Sequence, residues 1–295
     1  GRAGADVLDG GAGAADVADY SASTTGVTVT ANAATGNVGG DAEGDALAGF
    51  EDLVGSPLGD RLSGDAGPNG LLGGAGDDVL EGRGGADILA GGSGVDAVSY
   101  AASPSAVDVA LGGAVSGGDA AGDTITAEGL VGSAYADRLG GDAGPNALTG
   151  GGGDDVLRGG LGNDVLAGGA GADVLSGGRG ADTASFAGAA LAVAFDLSAG
   201  SAKGQGRDTL DRVESVLGTS RDDILVGGDG PNVLDGAGGV DRILGGGGAD
   251  TLHGGPGADR LFGGPGADTL GGGAGSDACY GEGGATTFAS CETKG

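Results

Sequence analysis

The most regular feature of this chain is a nine-residue pattern of glycine, polar and aliphatic positions. From Gly218 to Ala289 eight consecutive nonapeptides begin with glycine, usually with Asp or Asn at the sixth position and an aliphatic residue at the eighth. Glycines at the first and fourth positions suit tight turns, because glycine adopts backbone angles that other residues avoid. The triplet around the aliphatic residue predicts a very short strand with one buried side chain. The pattern therefore predicts one small turn-and-strand unit, copied and stacked.

The nonapeptides form three arrays, at residues 55–99, 132–185 and 218–289, with a short stub at the start of the chain. The segments between them, 20–54, 100–131 and 186–217, each open with an aromatic residue, at Tyr20, Tyr100 and Phe186. Each segment then alternates apolar and polar residues, which predicts a strand with one buried face. We therefore expect wider coils of the same structure rather than flexible linkers, and one elongated solenoid over residues 1–295.

Composition restricts the kinds of core and partner that this chain can have. It contains 77 glycines, only 3% aromatic residues and no Met or Trp, so a conventional core of large side chains is not expected. The net charge of −29 makes nucleic acid and anionic membrane surfaces poor partners and cations good ones. No apolar run is long enough to span a bilayer, so membrane insertion is not expected.

The glycines and carboxylates recur together most clearly in three repeats: Gly-Gly-Gly-Gly-Ala-Asp-Thr-Leu-His at 245–253, Gly-Gly-Pro-Gly-Ala-Asp-Arg-Leu-Phe at 254–262, and Gly-Gly-Pro-Gly-Ala-Asp-Thr-Leu-Gly at 263–271. These repeats resemble those of the RTX (repeats-in-toxin) calcium-binding family. This nonapeptide is a known calcium-binding β-helix repeat. The resemblance covers nearly the whole chain. It implies an all-β fold, a right-handed parallel β-roll or β-solenoid, with multiple Ca²⁺ ions in two rows between successive turns.

The chemistry of the sixth position agrees with that resemblance. Residues that recur in phase stack on one another, and a column of carboxylates requires a cation. Calcium takes 6–8 oxygen ligands from carboxylates and backbone carbonyls, and glycine turns can present several carbonyls at once. The candidate metal ligands are Asp6, Asp60, Asn69, Asp78, Asp87, Asp96, Asp137, Asn146, Asp155, Asp164, Asp173, Asp182, Asp223, Asn232, Asp241, Asp250, Asp259, Asp268 and Asp277.

Some repeats depart from this pattern. The three Asn residues offer a carbonyl oxygen without charge, so we expect weaker or differently built sites there. Thr286 replaces the acidic residue in the last repeat, and an extra residue precedes Asp16 in the second repeat, which puts both sites in doubt. Glu51 and the equivalent Glu128 and Glu214 precede the arrays; they are either extra ligands or acids of the turns. We expect the aromatic residues at the array ends to cover the last coil.

Other reactive residues point away from catalysis. Cys279 and Cys291 are either a redox or metal pair or a structural disulfide; we expect the disulfide, which would place the chain in an oxidising, extracellular setting. His253 is the only histidine, so we expect an exposed side chain and no zinc site. No G-x-S-x-G motif of a serine hydrolase is present. We therefore expect that this chain is not an enzyme.

The sequence thus favours a secreted calcium-binding module that folds into a rigid rod when it meets Ca²⁺. Such a rod would serve as a stalk, a scaffold or a folding aid during export. One alternative is a structural subunit that associates end to end into an extracellular fibre, because the ends of a solenoid are open sheet edges. Another is the non-catalytic tail of a secreted enzyme or adhesin.

Overall fold

The computed structural model describes residues 4–13 and 15–294, and the side chains of these residues except Lys294. The chain divides into two compact units, residues 1–142 and residues 143–295. In the described residues almost every regular element is a β-strand, and the only helical elements are two 3₁₀ turns, Gly40–Ala42 and Gly118–Ala120. The fold is therefore all-β, as the nonapeptide pattern predicts.

The strands of the first unit are short, and most of them pair in parallel. They are β1 (Val7–Asp9), β2 (Val17–Asp19), β3 (Thr28–Thr30), β4 (Ala46–Ala48), β5 (Asp52–Val54), β6 (Arg61–Ser63), β7 (Gly70–Ala75), β8 (Val79–Glu81), β9 (Ile88–Ser93), β10 (Ala97–Ser99), β11 (Asp108–Ala110), β12 (Val115–Ser116), β13 (Thr124–Thr126), β14 (Gly129–Val131) and β15 (Arg138–Gly140). One sheet has the order β3-β6-β8-β10-β14, and another has the order β13-β9-β7-β5-β2. Strands β12, β11 and β15 form a third group, and β1 pairs with β4.

The strands of the second unit form two sheets, and most of them again pair in parallel. Its strands are β16 (Ala147–Gly152), β17 (Val156–Leu161), β18 (Val165–Ala170), β19 (Val174–Arg179), β20 (Thr183–Ser185), β21 (Ala194–Asp196), β22 (Ser201–Lys203), β23 (Arg207–Asp211), β24 (Ser215–Leu217), β25 (Ile224–Val226), β26 (Val233–Asp235), β27 (Arg242–Leu244), β28 (Thr251–Gly257), β29 (Arg260–Phe262), β30 (Thr269–Gly275), β31 (Ala278–Tyr280), β32 (Thr287–Ala289) and β33 (Thr293–Lys294). Sheet one has the order β16-β18-β20-β24-β26-β28-β30-β32. Sheet two has the order β17-β19-β23-β22-β21-β25-β27-β29-β31-β33.

The register shows that one coil contains two nonapeptides. Leu148 pairs with Leu166, and Leu252 with Leu270, which are partners 18 residues apart. Successive repeats therefore contribute to opposite sheets, and every second repeat stacks in parallel on the one before. Because the chain returns in the same direction after each coil, equivalent side chains form straight columns.

The core consists of these aliphatic columns. The eighth-position side chains are almost completely buried in both units, and Leu80, Leu157 and Leu252 have no exposed surface. Each buried Leu contributes roughly 1.5–3 kcal/mol. Since one repeat buries one such side chain, the apolar core is narrow for a chain of this length.

The segments between arrays form wider coils that continue the stacking. Strands β3, β11 and β21 form where the alternating residues predict them, and they pair in parallel with β6, β15 and β25 of the following arrays. In two of the segments the extra residues fold back as antiparallel strands, β12 beside β11, and β22 between β21 and β23. These segments are therefore integral parts of the sheets.

Candidate metal centre

The sixth-position carboxylates are buried, and each one connects two coils. Asp78 has only 1% of its surface exposed. Its Oδ1 accepts a hydrogen bond from the backbone N–H of Asp60, 18 residues earlier, at 2.8 Å. Asp259 and Asp277 accept in the same way from the backbone N–H groups of Asp241 and Asp259. One oxygen of each carboxylate thus holds the coils in register.

The second oxygen of these carboxylates faces no donor. Oδ2 is buried and accepts no hydrogen bond in eleven of the described aspartates: Asp16, Asp78, Asp87, Asp96, Asp173, Asp182, Asp241, Asp250, Asp259, Asp268 and Asp277. A buried carboxylate oxygen without a partner is costly unless a proton or a cation neutralises it. Because this arrangement recurs at equivalent turns, these turns fit a cation that would neutralise the carboxylate.

The electrostatics of the metal-free turns point in the same direction. The pKa values of Asp78 and Asp87 are raised from 3.8 to about 6, mainly by burial and also by neighbouring carboxylates, against the lowering effect of the backbone hydrogen bond. Burial raises the pKa of Asp241 to about 7, again with help from nearby aspartates. Without a cation these groups hold protons far more readily than an exposed aspartate does.

The first-position glycine leaves room beside each open oxygen. A Cβ added at Gly245 would lie 2.5 Å from Asp250 Oδ2 and 2.5 Å from the carbonyl oxygen of Gly263, the first glycine of the next coil. A side chain at this position would therefore fill the space that a carboxylate oxygen and a carbonyl oxygen share. Both are hard oxygen donors of the kind that Ca²⁺ prefers.

Side chains alone do not complete a metal site here. Within residues 4–13 and 15–294, no group of three or more His, Cys, Asp or Glu residues is placed to hold one ion. The carboxylates are distributed along the turns, so backbone carbonyls must supply the other ligands. This donor set fits Ca²⁺, which accepts many oxygen ligands in flexible geometry, and it lacks the thiolates and imidazoles typical of zinc sites.

The first turn of each array satisfies its carboxylate differently. Thr219 donates its backbone N–H to Asp223 Oδ2 at 2.6 Å and its hydroxyl to Oδ1 at 3.0 Å. Ser56 and Ser133 donate to Asp60 and Asp137 in the same way. These three predicted ligands therefore already have protein donors on both oxygens. In the sequence, these turns are marked by a Ser or Thr directly after the first glycine, but the repeat pattern alone did not reveal that this residue hydrogen-bonds to the carboxylate.

The second turn of an array uses Asn, and its amide is also engaged. Asn232 accepts from the backbone N–H of Gly228 at 2.8 Å and donates to the carbonyl of Glu214 at 2.9 Å. Asn69 makes the equivalent bonds with Asp65 and Glu51. Asn146 is buried at the same position, and its N–H donates to Asp164 Oδ1. An uncharged amide therefore suits a turn that the protein closes with its own groups.

The wider coils carry carboxylates that the nonapeptide pattern did not reveal as equivalent. Asp45 and Asp123 accept from the N–H groups of Asp6 and Asp87 through Oδ1, as a sixth-position Asp does. Their Oδ2 atoms accept from the hydroxyls of Tyr20 and Tyr100, at 3.0 and 2.8 Å. The two tyrosines thus supply a donor to a buried carboxylate. In the third wide coil Asp208 accepts from the N–H of Asp173, but Phe186 replaces the tyrosine.

The glutamates before the arrays also take the place of a sixth-position Asp. Glu51, Glu128 and Glu214 accept hydrogen bonds through Oε2 from the backbone N–H groups of Asp16, Asp96 and Asp182. Glu292 does the same for Asp277 near the C-terminus, although the sequence pattern did not single it out. The backbone N–H of each of these glutamates also donates to the carbonyl of the same aspartate, at 3.1 Å, so each glutamate is hydrogen-bonded to that aspartate through both its main chain and its side chain.

The remaining predicted groups behave as follows. Asp6 is half-buried and donates its N–H to Asp45. Asp155 and Asp164 are buried at sixth positions like their neighbours. Thr286 donates its hydroxyl to the carbonyl of Gly283. His253 is exposed.

The predicted disulfide is present between Cys279 and Cys291, with a Cα–Cα distance of 6.0 Å. Cys279 takes the buried eighth position of its repeat. The bridge therefore ties the last described strands to the final complete coil. Among the described residues no helix is long and apolar enough to cross a membrane.

Stacked turns with buried carboxylates that require cations define a metal-binding repeat protein with a parallel β-roll fold. The family model of the RTX calcium-binding nonapeptide repeat matches residues 1–14, 54–89, 63–98, 131–166, 149–184, 217–252 and 253–288. These segments cover more than half of the chain, and the chain belongs to this family. RTX nonapeptide repeats bind multiple Ca²⁺ ions. No curated protein matches the chain significantly.

Proposed function

We propose that this chain is a secreted module whose folding depends on Ca²⁺, and that the ions occupy the turns with an open Oδ2. The observation that carries this proposal is the set of buried carboxylate oxygens without donors, each beside a glycine that leaves space for an ion. Within the second unit, for example, Asp223, Asp241, Asp259 and Asp277 are connected in one column by hydrogen bonds 18 residues apart, and Asn232, Asp250 and Asp268 in another. We therefore expect the highest calcium affinity at the turns where no protein donor reaches Oδ2.

The turns that begin each array need no ion under this proposal. Asp223 and Asn232 are closed by hydrogen bonds from Thr219 and Gly228, so their oxygens are already satisfied. The chain then has two kinds of turn. In one kind, protein N–H and hydroxyl groups donate to the sixth-position side chain, and in the other a calcium ion neutralises it. The closed turns at array starts keep part of the structure ordered by local hydrogen bonds, and calcium orders the turns that follow.

Calcium supplies a large share of the stability in this proposal. Without ions the folded chain must hold a net charge of −29 and bury many carboxylates around a narrow aliphatic core. An ion at ten times its Kd contributes about 1.4 kcal/mol per site, and several sites act together. Extracellular calcium modules have Kd values on the order of 10⁻⁴–10⁻³ M. The chain would thus be largely unfolded at cytosolic calcium and folded outside the cell.

The biological role that follows is that of a stiff stalk, a scaffold, or a non-catalytic module that assists export and folding of a larger protein. The disulfide supports an extracellular location, because such bonds persist in oxidising compartments. Assembly into a fibre would require end-to-end contacts and is a separate proposal.

Circular dichroism with a calcium titration tests the proposal. We expect a weak β signal in EGTA and a cooperative gain at millimolar Ca²⁺, with a weaker response to Mg²⁺ because Mg²⁺ demands strict octahedral geometry. Calorimetry on the same samples would report several ions per chain. Identical spectra in EGTA and in millimolar Ca²⁺ would refute Ca²⁺-dependent folding.

A further inference from the structure

The basic residues of the second unit are distributed unevenly between its two sheets. Within residues 143–294, every Lys and Arg that lies on a strand belongs to sheet two, and sheet one has none. The chain as a whole is strongly acidic, with 13 basic residues against 42 acidic ones. A concentration of cations on one face of such a protein therefore calls for a physical explanation.

Four of these cations lie in a single line across sheet two. Lys203 is directly opposite Arg207, and Arg242 is directly opposite Arg260. The cross-strand partners form a continuous row, which we call the cationic row: Arg207, Lys203, Ala194, Ile224, Arg242 and Arg260. At about 4.8 Å between strands, the row is about 24 Å long. All four cations are exposed.

The row contains two uncompensated like-charge pairs. Cations directly opposite each other on neighbouring strands destabilise a sheet. No ion pair to any of the four is present in the described part of the chain. Two carboxylates on this face have other partners: Asp196 accepts hydrogen bonds from Ser198 and from the N–H of Ala199, and Asp211 accepts one from the hydroxyl of Ser176 and lies 3.9 Å from Arg212 Nε. The pairs are thus left for an external anion to neutralise.

We propose that the cationic row binds a linear acidic polysaccharide, whose carboxylate or sulfate groups contact the two cation pairs. A straight row of exposed cations complements a polymer with regularly placed anions. Guanidinium groups bind carboxylate and sulfate-like oxyanions through paired hydrogen bonds. The disulfide favours an oxidising extracellular setting, where acidic polysaccharides are available as polymeric anions.

The aromatic residues beside the row disfavour single-stranded nucleic acid as the occupant. Phe262 stacks on Tyr280 with ring centroids 4.9 Å apart, and Arg242 lies 5.6 Å from the centroid of Phe262. The faces of Phe262 are therefore in use, whereas sequence-tolerant binding of single strands relies on aromatic faces that stack on bases. A bound sugar polymer needs only the cations and polar contacts at the rim.

This inference rests on the proposed calcium function in one respect. Each bound Ca²⁺ adds two positive charges to a chain with a net charge of −29, so calcium reduces the long-range repulsion of a polyanion. The ions belong to the turns, whereas the row lies on the sheet face. Calcium is thus expected to permit polysaccharide binding without contacting the polymer.

Affinity measurements on the full chain in millimolar Ca²⁺ test the inference. The probes are heparin, which carries sulfates and carboxylates, polygalacturonate, which carries carboxylates only, and neutral dextran. The test variant is Arg242→Gln/Arg260→Gln. The matched control is Arg61→Gln/Arg158→Gln, which removes the same charge from exposed positions outside the row.

We expect one or both acidic polymers to bind, dextran not to bind, and added salt to weaken binding. The test variant should lose at least about tenfold in affinity, because each arginine contributes a charge-assisted hydrogen bond. The control should bind within about twofold of the wild type, and preference for heparin or polygalacturonate would assign the anionic group.

Several results would overturn the proposal. The first is equal binding of the acidic polymers by the test variant and the wild type. The second is tighter binding of a single-stranded oligonucleotide than of either polysaccharide. The third is self-association of the chain through the row, measured by sedimentation. Circular dichroism of each variant in Ca²⁺ separates the two proposals. A chain that folds with calcium but ignores the acidic polymers refutes only the row, whereas a chain insensitive to calcium refutes the proposed function.

Discussion

Replacement of one open carboxylate by its amide tests the central argument about the turns. Asp250 is 1% exposed, and its Oδ1 accepts a hydrogen bond from the backbone N–H of Asn232 at 2.9 Å, while Oδ2 accepts no hydrogen bond. Asp250→Asn keeps the size of the side chain and an acceptor for that N–H. It removes the negative charge that we propose as a calcium ligand.

The expected effect has opposite signs with and without calcium. A site at ten times its Kd contributes about 1.4 kcal/mol, so its loss should lower Tm in saturating Ca²⁺ by about 3–6 °C for a unit of this size. In EGTA the variant should be at least as stable as the wild type. Burial and the charge of Asp268 raise the pKa of Asp250, which shows that its ionised form is disfavoured in the metal-free fold.

Calcium titration followed by circular dichroism and calorimetry measures both effects. Asp229→Asn is the matched control, because it makes the same charge change at an exposed turn residue. The control should retain the wild-type midpoint and ion count. If Asp250→Asn binds as many ions as the wild type, with the same midpoint and Tm, the assignment of the open oxygens as calcium ligands is wrong.

Three further perturbations follow from the same geometry. Gly254→Ala should sharply weaken calcium-dependent folding, because the added Cβ would lie 2.5 Å from the carbonyl oxygen of the next coil and in contact with the carboxylate of its own repeat; a calcium titration measures this. Tyr100→Phe should lower the free energy of unfolding in urea by about 1–3 kcal/mol, since it leaves Asp123 Oδ2 without its hydroxyl donor. Burial raises the pKa of Asp241 from 3.8 to about 7, so protonation of this side chain stabilises the fold in the absence of calcium. That stabilisation should be complete below about pH 3.8 and lost as the pH rises through about 7. Calcium affinity should fall over the same range as pH decreases, because protons compete with the ion.

The two substitutions have matched controls. Gly230→Ala is the control for the glycine, because nothing lies within 4 Å of its added Cβ. Tyr135→Phe removes a hydroxyl from an exposed ring, and it should leave the unfolding free energy unchanged. Equal destabilisation by the two tyrosine variants, or a calcium midpoint independent of pH between 5 and 8, would contradict the corresponding expectation.

The chain shows which parts of a repeat protein can be read locally. The eighth-position Leu, the turn glycines and the recurring Asp belong to a single nonapeptide, so their roles follow from periodicity alone. The strands at 28–30, 108–110 and 194–196 were also predictable, because alternation is a local property of the sequence. The sequence therefore determined the β-roll, its repeat and the class of ion.

The state of each carboxylate depended on contacts between coils. Asp223 and Asp250 have the same place in the repeat, yet the hydroxyl and N–H of Thr219 close one and no donor reaches the other. Tyr100 lies 23 residues from the carboxylate that it satisfies. The pairing of Lys203 with Arg207 likewise arises only because β22 folds back antiparallel beside β23. These differences reside in distances between coils, which periodicity does not encode; only the tertiary structure separates the turns closed by protein donors from those that require a cation.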